Sequence, residues 1–258
     1  MQKEKNIEMA RLIAEYVHNA GGSTYYVGGY VRDTVLGRDS KDIDLEIHGI
    51  TPEELYTILK KLGEPIIMGN SFGIMGLRHY DLDISMPRKD VPNSRGGLDF
   101  GDFVDPYIGL KNAARRRDLT MNALMQDVLT GKIIDHFGGV SDLEKGIIRH
   151  VDDVTFAEDP LRVLRTAQFA ARFQFLIAEE TIRLAQAQRL EKLPRERIWG
   201  ELEKALMKSE KPSVFFSVLR EMEQLDVWFP EIKMLIGIEQ RVHFHGASDE
   251  VRRDVHEV

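Results

Sequence analysis

Two aspartates spaced two residues apart, Asp42 and Asp44, are the first residues in this chain whose placement suggests chemistry. In an extended segment, residues i and i+2 point the same way, so both carboxylates share a face and stand close enough to share divalent cations. Residues 43–47 alternate as a half-buried strand does, with Ile43, Leu45 and Ile47 on one side and Asp42, Asp44 and Glu46 on the other. Upstream, Gly28-Gly29 closes an apolar run and leads into Tyr30-Val31-Arg32-Asp33. Two glycines at the start of a helix leave backbone amides without side-chain hindrance, a place where a triphosphate can lie. Each pattern alone is common, since strand faces often carry acids and Gly-Gly marks many turns. Their joint occurrence points to metal-assisted chemistry on a phosphate ester.

The elements that must position these residues follow from periodicity. Met9, Leu12, Ile13, Tyr16 and Val17 recur at helical spacing and Gly21-Gly22 stops them, which predicts an opening amphipathic helix. Residues 24–27 read as a strand running into Gly28-Gly29, followed by a short helix to Leu36 and a break at Gly37. Thr51-Pro52-Glu53-Glu54 is a capping box with proline at the first helical position, and its helix ends near Gly63. Further strands are expected at 65–68, 74–77, 80–86 and 132–134. Residues 87–109 lack helical period and form a loop long enough to be functional. After Lys111 the pattern is mostly helical. The fold class is therefore α+β in front and helical behind. The shift in composition near residues 149–155 predicts domains at 1–150 and 151–258.

Composition narrows the function classes. The 258 residues are 43% hydrophobic and 30% charged, the balance of an ordinary globular protein. No apolar run approaches the ~18 residues of a membrane span. The polar Met1-Gln2-Lys3-Glu4-Lys5 start lacks the core of a secretory signal, and a cytoplasmic location is expected. Cysteine is absent, which excludes a disulfide partner, thiolate zinc sites and thiol catalysis. A net charge of -7 argues against a surface that grips nucleic acid everywhere, yet arginines cluster locally at Arg115, Arg116 and Arg117 and again at Arg162, Arg165 and Arg172. His243, His245 and His256 form a loose terminal group that reads as solvated rather than metal-binding.

The order of motifs resembles the class II tRNA nucleotidyltransferases (CCA-adding enzymes) and bacterial poly(A) polymerases. The match runs from Gly28-Gly29-Tyr30-Val31-Arg32-Asp33 through Leu36-Gly37-Arg38 to Asp42-Ile43-Asp44-Leu45. It continues with Arg116-Arg117-Asp118-Leu119-Thr120-Met121-Asn122, then Asp135 with Gly138-Gly139 and Asp142-Leu143, then Glu158-Asp159-Pro160-Leu161-Arg162. A last match is Arg195-Glu196-Arg197-Ile198 with Glu201-Leu202. The resemblance implies a polymerase β-like head with a small mixed sheet and an all-helical neck that receives the nucleobase. It implies that Asp42 and Asp44 hold two magnesium ions, with a third carboxylate at Asp83, or at Asp81, which has the same facing.

Other roles implied by the resemblance concern the nucleotide, supplied as ATP or CTP. Gly28, Gly29, Arg32 and Arg117 would lie at the nucleotide, and Asp118 or Asn122, four apart on an expected helix, would bond the ribose hydroxyls. Glu158, Asp159 and Arg162, which sit at an expected helix start, would with Arg165 serve the base. An aspartate offers only acceptors and an arginine only donors. Cytosine and adenine each present an amino donor beside a ring-nitrogen acceptor, so one Asp159/Arg162 pair fits both, whereas uracil and guanine meet like against like. The activity implied is template-independent addition of C and A, or A, to the tRNA 3' end. Poly(A) synthesis and a non-catalytic RNA-binding fragment are the alternatives. Gln168 departs from relatives with arginine at that position, and longer relatives continue beyond the point where Val258 ends this chain.

Overall fold

The computed structural model describes residues 2–40, 42–67, 74–88 and 104–238. Residues 89–103 of the expected functional loop, and His243, His245 and His256, lie outside the described residues. The chain divides into two compact units, residues 1–140 and 141–258.

In the first unit, α1 (Gln2–Asn19) precedes β1 (Ser23–Val27), α2 (Gly29–Val35), β2 (Ile43–His48) and α3 (Pro52–Leu62). Then come β3 (Pro65–Ile67), β4 (Ile74–Leu77), β5 (Leu82–Ser85), α4 (Leu110–Arg115), a 3-10 turn (Thr120–Asn122), β6 (Met125–Asp127) and β7 (Ile133–Ile134), after which α5 (Gly139–Lys145) runs across the division. The strands form one sheet in the order β3-β4-β5-β2-β1-β6-β7. It is mixed: β2 and β5 run parallel while β2 pairs antiparallel with β1. Helix α1 turns Met9, Ala10, Ile13, Ala14 and Val17 inward and packs on β1 and α3. The Thr51 capping box is formed in both directions, with the Glu54 amide donating to the Thr51 hydroxyl and the Thr51 amide donating to Glu54 Oε2 at 2.7 Å. Ile43, Leu45 and Ile47 are buried in the core at no more than 2% exposure, which turns the opposite edge of β2 towards the site.

Among its described residues, the second unit is helical apart from the two-residue parallel pair β8 (Ile147–Ile148) and β9 (Leu176–Ile177). Its helices are α6 (Asp153–Glu158), α7 (Leu161–Phe173), α8 (Glu179–Gln186), α9 (Arg195–Lys208) and α10 (Ser213–Glu221), with two short helices after them. Val163, Leu164, Ala167 and Ala170 on α7 are fully buried where α7 packs against α9 and α10. The division between units falls within α5, ahead of the composition shift at 149–155. Pairing of β8 with β9 ties residues 147–148 to the helical unit.

Three local expectations are corrected. Residues 116–119 are not helical: α4 stops at Arg115 and Asp118 lies in the link to the 3-10 turn. Residues 125–127, expected within a helical stretch, form β6 because β1 offers them an edge to pair with. Glu158 ends α6 instead of starting a helix, and α7 begins only after Asp159-Pro160. Proline disfavours helical geometry in the residue before it, so the Asp159-Pro160 step breaks the helix there.

Candidate active site

The polar edge of β2 and its parallel neighbour β5 carry the acids. Asp44 and Asp83 are direct register partners, so their side chains project from the same face of adjacent strands, and Asp42 lies two residues before Asp44. Asp83 is exposed and Asp44 half-buried. Burial pushes the Asp44 carboxyl above the ordinary aspartate range; the charge of Asp83 adds to this, Arg117 opposes it, and Asp42 raises it further. Asp81 precedes β5 and exchanges backbone hydrogen bonds with the Asn6 side chain.

Gly28 turns the chain from β1 into α2 with φ +64, a conformation that favours glycine. A Cβ there would lie 3.5 Å from Asp44 Oδ2 and 3.7 Å from a terminal nitrogen of Arg117. A carboxylate and a guanidinium therefore meet at a turn with no side chain of its own. Gly29 is followed on α2 by Arg32, which is buried at 4% exposure and does not present its guanidinium to solvent. Arg32 donates to Asp33 at 2.8 Å and to Asn122 Oδ1 at 2.7 Å. Asn122 in turn donates to Asp118 Oδ1 at 3.0 Å, and the Leu119 amide donates to the same oxygen. Asp118 and Asn122 are thus brought together by a tight turn rather than by the expected helix face, and both residues are buried.

The Asp135 and Gly138-Gly139 motif supports that turn. Asp135 accepts from the amides of Phe137, Gly139 and Val140 at the start of α5. A Cβ on Gly139 would stand 2.3 Å from the Thr120 carbonyl oxygen, so only glycine permits α5 to approach the 3-10 turn so closely.

Two residues of the site escaped the sequence reading as participants. Glu46 and His48 continue the polar edge of β2 and are each buried at 6% exposure. His48 Nε2 lies 2.9 Å from Glu46 Oε1, and Arg117 donates to Glu46 Oε2 at 2.9 Å. Burial alone would raise the Glu46 carboxyl, but the His48 hydrogen bond and the Arg117 charge outweigh it and hold the group below its ordinary value. The alternation that placed Glu46 on the face was visible in the sequence, and His48 obeys the same period. Beside Glu46 lies a cavity of about 290 Å³ whose lining includes Ser85, Arg88, Arg116 and Arg117.

In the second unit, Asp159 Oδ1 accepts from the Leu161 amide at 3.2 Å and Oδ2 from Arg197 at 2.7 Å. Arg162 donates to the Thr155 carbonyl at 2.8 Å. Arg165 lies 3.7 Å from Glu201 Oε1 and over the Phe169 ring at 5.4 Å. Gln168 is buried. Asp159 is thus paired with Arg197 on α9, which the sequence did not single out as a base-site residue, while the Arg162 side chain bonds the Thr155 carbonyl.

Among the described residues, no group of three or more histidine or acidic side chains is gathered for a metal, and no helix is long and apolar enough to cross a membrane. The acids nonetheless fit magnesium in type. Magnesium takes oxygen ligands and is held by one or two carboxylates together with substrate phosphates, not by a complete protein cage. Asp42, Asp44 and Asp83 also carry mutual repulsion that a divalent cation relieves.

Residues 24–149 match the family described as Poly A polymerase head domain, and residues 175–235 match the family described as Probable RNA and SrmB-binding site of polymerase A. The chain is 41% identical over 230 residues to the multifunctional CCA protein of Neisseria meningitidis serogroup C, a match covering 88% of this chain and 53% of that protein. It thus spans about half the length of this curated relative. Among solved structures, a CCA-adding enzyme in complex with CTP aligns with a TM-score of 0.68 at 28% identity, covering 93% of this chain and 54% of the other. A tRNA nucleotidyltransferase complexed with a primer tRNA and an incoming ATP analogue aligns with a TM-score of 0.69 at 26% identity, covering 87% and 66%. With the mixed sheet, the Gly28 turn and the paired acids in place, residues 24–149 form a Poly A polymerase head domain, and the chain as a whole is similar to multifunctional CCA proteins and CCA-adding enzymes.

Proposed function

We propose that this chain is a template-independent RNA nucleotidyltransferase that adds C and A, or A, to the 3' end of tRNA from CTP and ATP. The observation that carries this reading is the meeting of Asp44 and Arg117 at the Gly28 turn, with Asp83 directly across from Asp44. Acids and a cation around bare backbone suit a nucleoside triphosphate, which needs both charge neutralisation and close approach. The similar tRNA nucleotidyltransferase complexed with a primer tRNA and an incoming ATP analogue supports the tRNA end as acceptor.

In this reading Asp42 and Asp44 would hold two magnesium ions and Asp83 would complete the acidic face; the ions would supply a lowered pKa at the RNA 3' hydroxyl and neutralisation of the charge that develops as pyrophosphate leaves. Gly28 and Gly29 let the triphosphate lie against the backbone, and Arg117 supplies donors to it. Asp118 and Asn122 orient the ribose, with Arg32 holding Asn122 in place. Asp159 and Arg162 read the base edge, Glu158 and Arg165 flank them, and Arg197 fixes the Asp159 carboxylate. A carboxylate has roughly four lone-pair sites, so an oxygen bonded to Arg197 still accepts from a base amino group.

Base choice tests the reading. Wild-type protein should use CTP and ATP and reject UTP and GTP, while Asp159→Ala should lose about two orders of magnitude or more of that discrimination, because a hydrogen-bonding site rejects mismatched partners by ~10⁴ or more. The measurement is kcat/KM for each of the four nucleotides on tRNA lacking its CCA end, beside thermal melting. Unchanged preference in a folded Asp159→Ala variant removes the base-reading role.

A further inference from the structure

Glu46 and His48 lie on the polar edge of β2 yet are buried, and neither is needed to hold metal in the account above. A buried carboxylate is costly unless every oxygen is paired, and apolar replacements of buried ion pairs are often neutral or stabilising. Stability alone therefore gives little reason for an acid at position 46. The pairing here is directional. An ionised carboxylate only accepts, so His48 donates through Nε2 to Oε1, which leaves Oε2 aimed at Arg117. His48 is itself held edge-on by the Tyr25 ring, with centroids 5.5 Å apart, and Tyr25 is the register partner of Glu46 on β1.

Arg117 spans the distance between this buried pair and the Gly28 turn. One terminal nitrogen bonds Glu46, and the other is the atom that a Cβ at Gly28 would meet at 3.7 Å. A guanidinium is a rigid planar fork, so fixing one nitrogen fixes the direction of the rest. From this geometry we infer that Glu46, backed by His48, is the positioning residue that orients the Arg117 guanidinium toward the triphosphate at the Gly28 turn. The inference rests on the proposed function, in which that turn takes a triphosphate. It adds residues that act through Arg117 and touch no substrate.

The test uses inorganic tripolyphosphate with magnesium, titrated into the full chain by calorimetry, and KM for ATP as a second readout. Glu46→Gln keeps the shape and the acceptor for His48 but turns an amide donor towards Arg117. It should weaken tripolyphosphate binding about tenfold, the scale of a lost supporting contact, with KM rising more than kcat falls. Arg117→Ala should weaken binding at least as much, and the double variant should bind no more weakly than Arg117→Ala alone, because Glu46 acts only through that arginine. Glu46→Asp, which keeps the charge but shortens the reach, should show the same loss if Glu46→Gln melts too early to titrate. Additive losses in the double variant, or wild-type affinity in both Glu46 variants, overturn the inference and leave the proposed function standing. Failure of the folded wild type to bind tripolyphosphate overturns both.

Discussion

Burial, Asp83 and Asp42 all push Asp44 towards its protonated form, with Arg117 opposing them. A carboxyl raised in this way binds its proton more tightly folded than unfolded, so its contribution to stability falls as pH rises from 3.8 through the raised folded value. At neutral pH the ionised group is a net cost to the fold. Asp44→Asn should therefore melt higher than wild type at pH 7, and the gap should close as pH drops through the carboxylate range. Magnesium should raise the melting temperature of wild type but not of Asp44→Asn. A variant that melts lower at pH 7 would show that Asp44 serves the fold. The Asp42 and Asp44 spacing was legible in the sequence because alternation on a strand is local. The use of Glu46 was not, since its partner Arg117 stands 71 positions away and no periodicity links them.

At the scale of elements, the site depends on a close approach that the motif glycines hint at without locating. Gly139 lets α5 lie against the Thr120 carbonyl, and that contact sets the turn bearing Asp118 and Asn122. Gly139→Ala places a Cβ against backbone that has no rotamer to change. It should cost about 1–3 kcal/mol and raise KM for nucleotides, read by denaturant unfolding and kinetics. A neutral effect on both would mean that the turn adjusts freely. Most front elements could be read from the sequence because their signals are local, such as the Thr51 capping box and the stop after Val17. Strand β6 could not: Met125, Gln126 and Asp127 are too few to show a period, and their strand state comes from pairing with β1. The stretch from Arg116 to Asn122 likewise carries helix-like spacing, but Asp118 bonds the Leu119 amide, a local alternative to helical pairing.

For the whole molecule, the first unit holds the acids, the Gly28 turn and Arg117, and the second holds Asp159, Arg162 and Arg197. In the proposed function, phosphate chemistry and base reading thus have separate structural homes. The net charge of -7 fits the proposed division, in which attraction to RNA would be left to local arginines instead of the general surface. The α+β front and helical rear were legible as a change of hydrophobic period, but the strand pairing that moves the division forward into α5 spans residues too distant for any local pattern. Central to the account is nucleotide addition directed by the acids of β2. The most direct measurement is the product length formed from tRNA ending at the discriminator base, at CC and at CCA, with magnesium and CTP and ATP supplied singly and together. Wild type should complete CCA, or add A to the CC end, and stop there; Asp44→Ala, folded by melting, should retain below about one percent of the rate, since metal-held charge stabilisation supplies several kcal/mol of the barrier. Long A tails on tRNA already ending in CCA would identify poly(A) synthesis instead, and extension by Asp44→Ala at the wild-type rate would contradict the account.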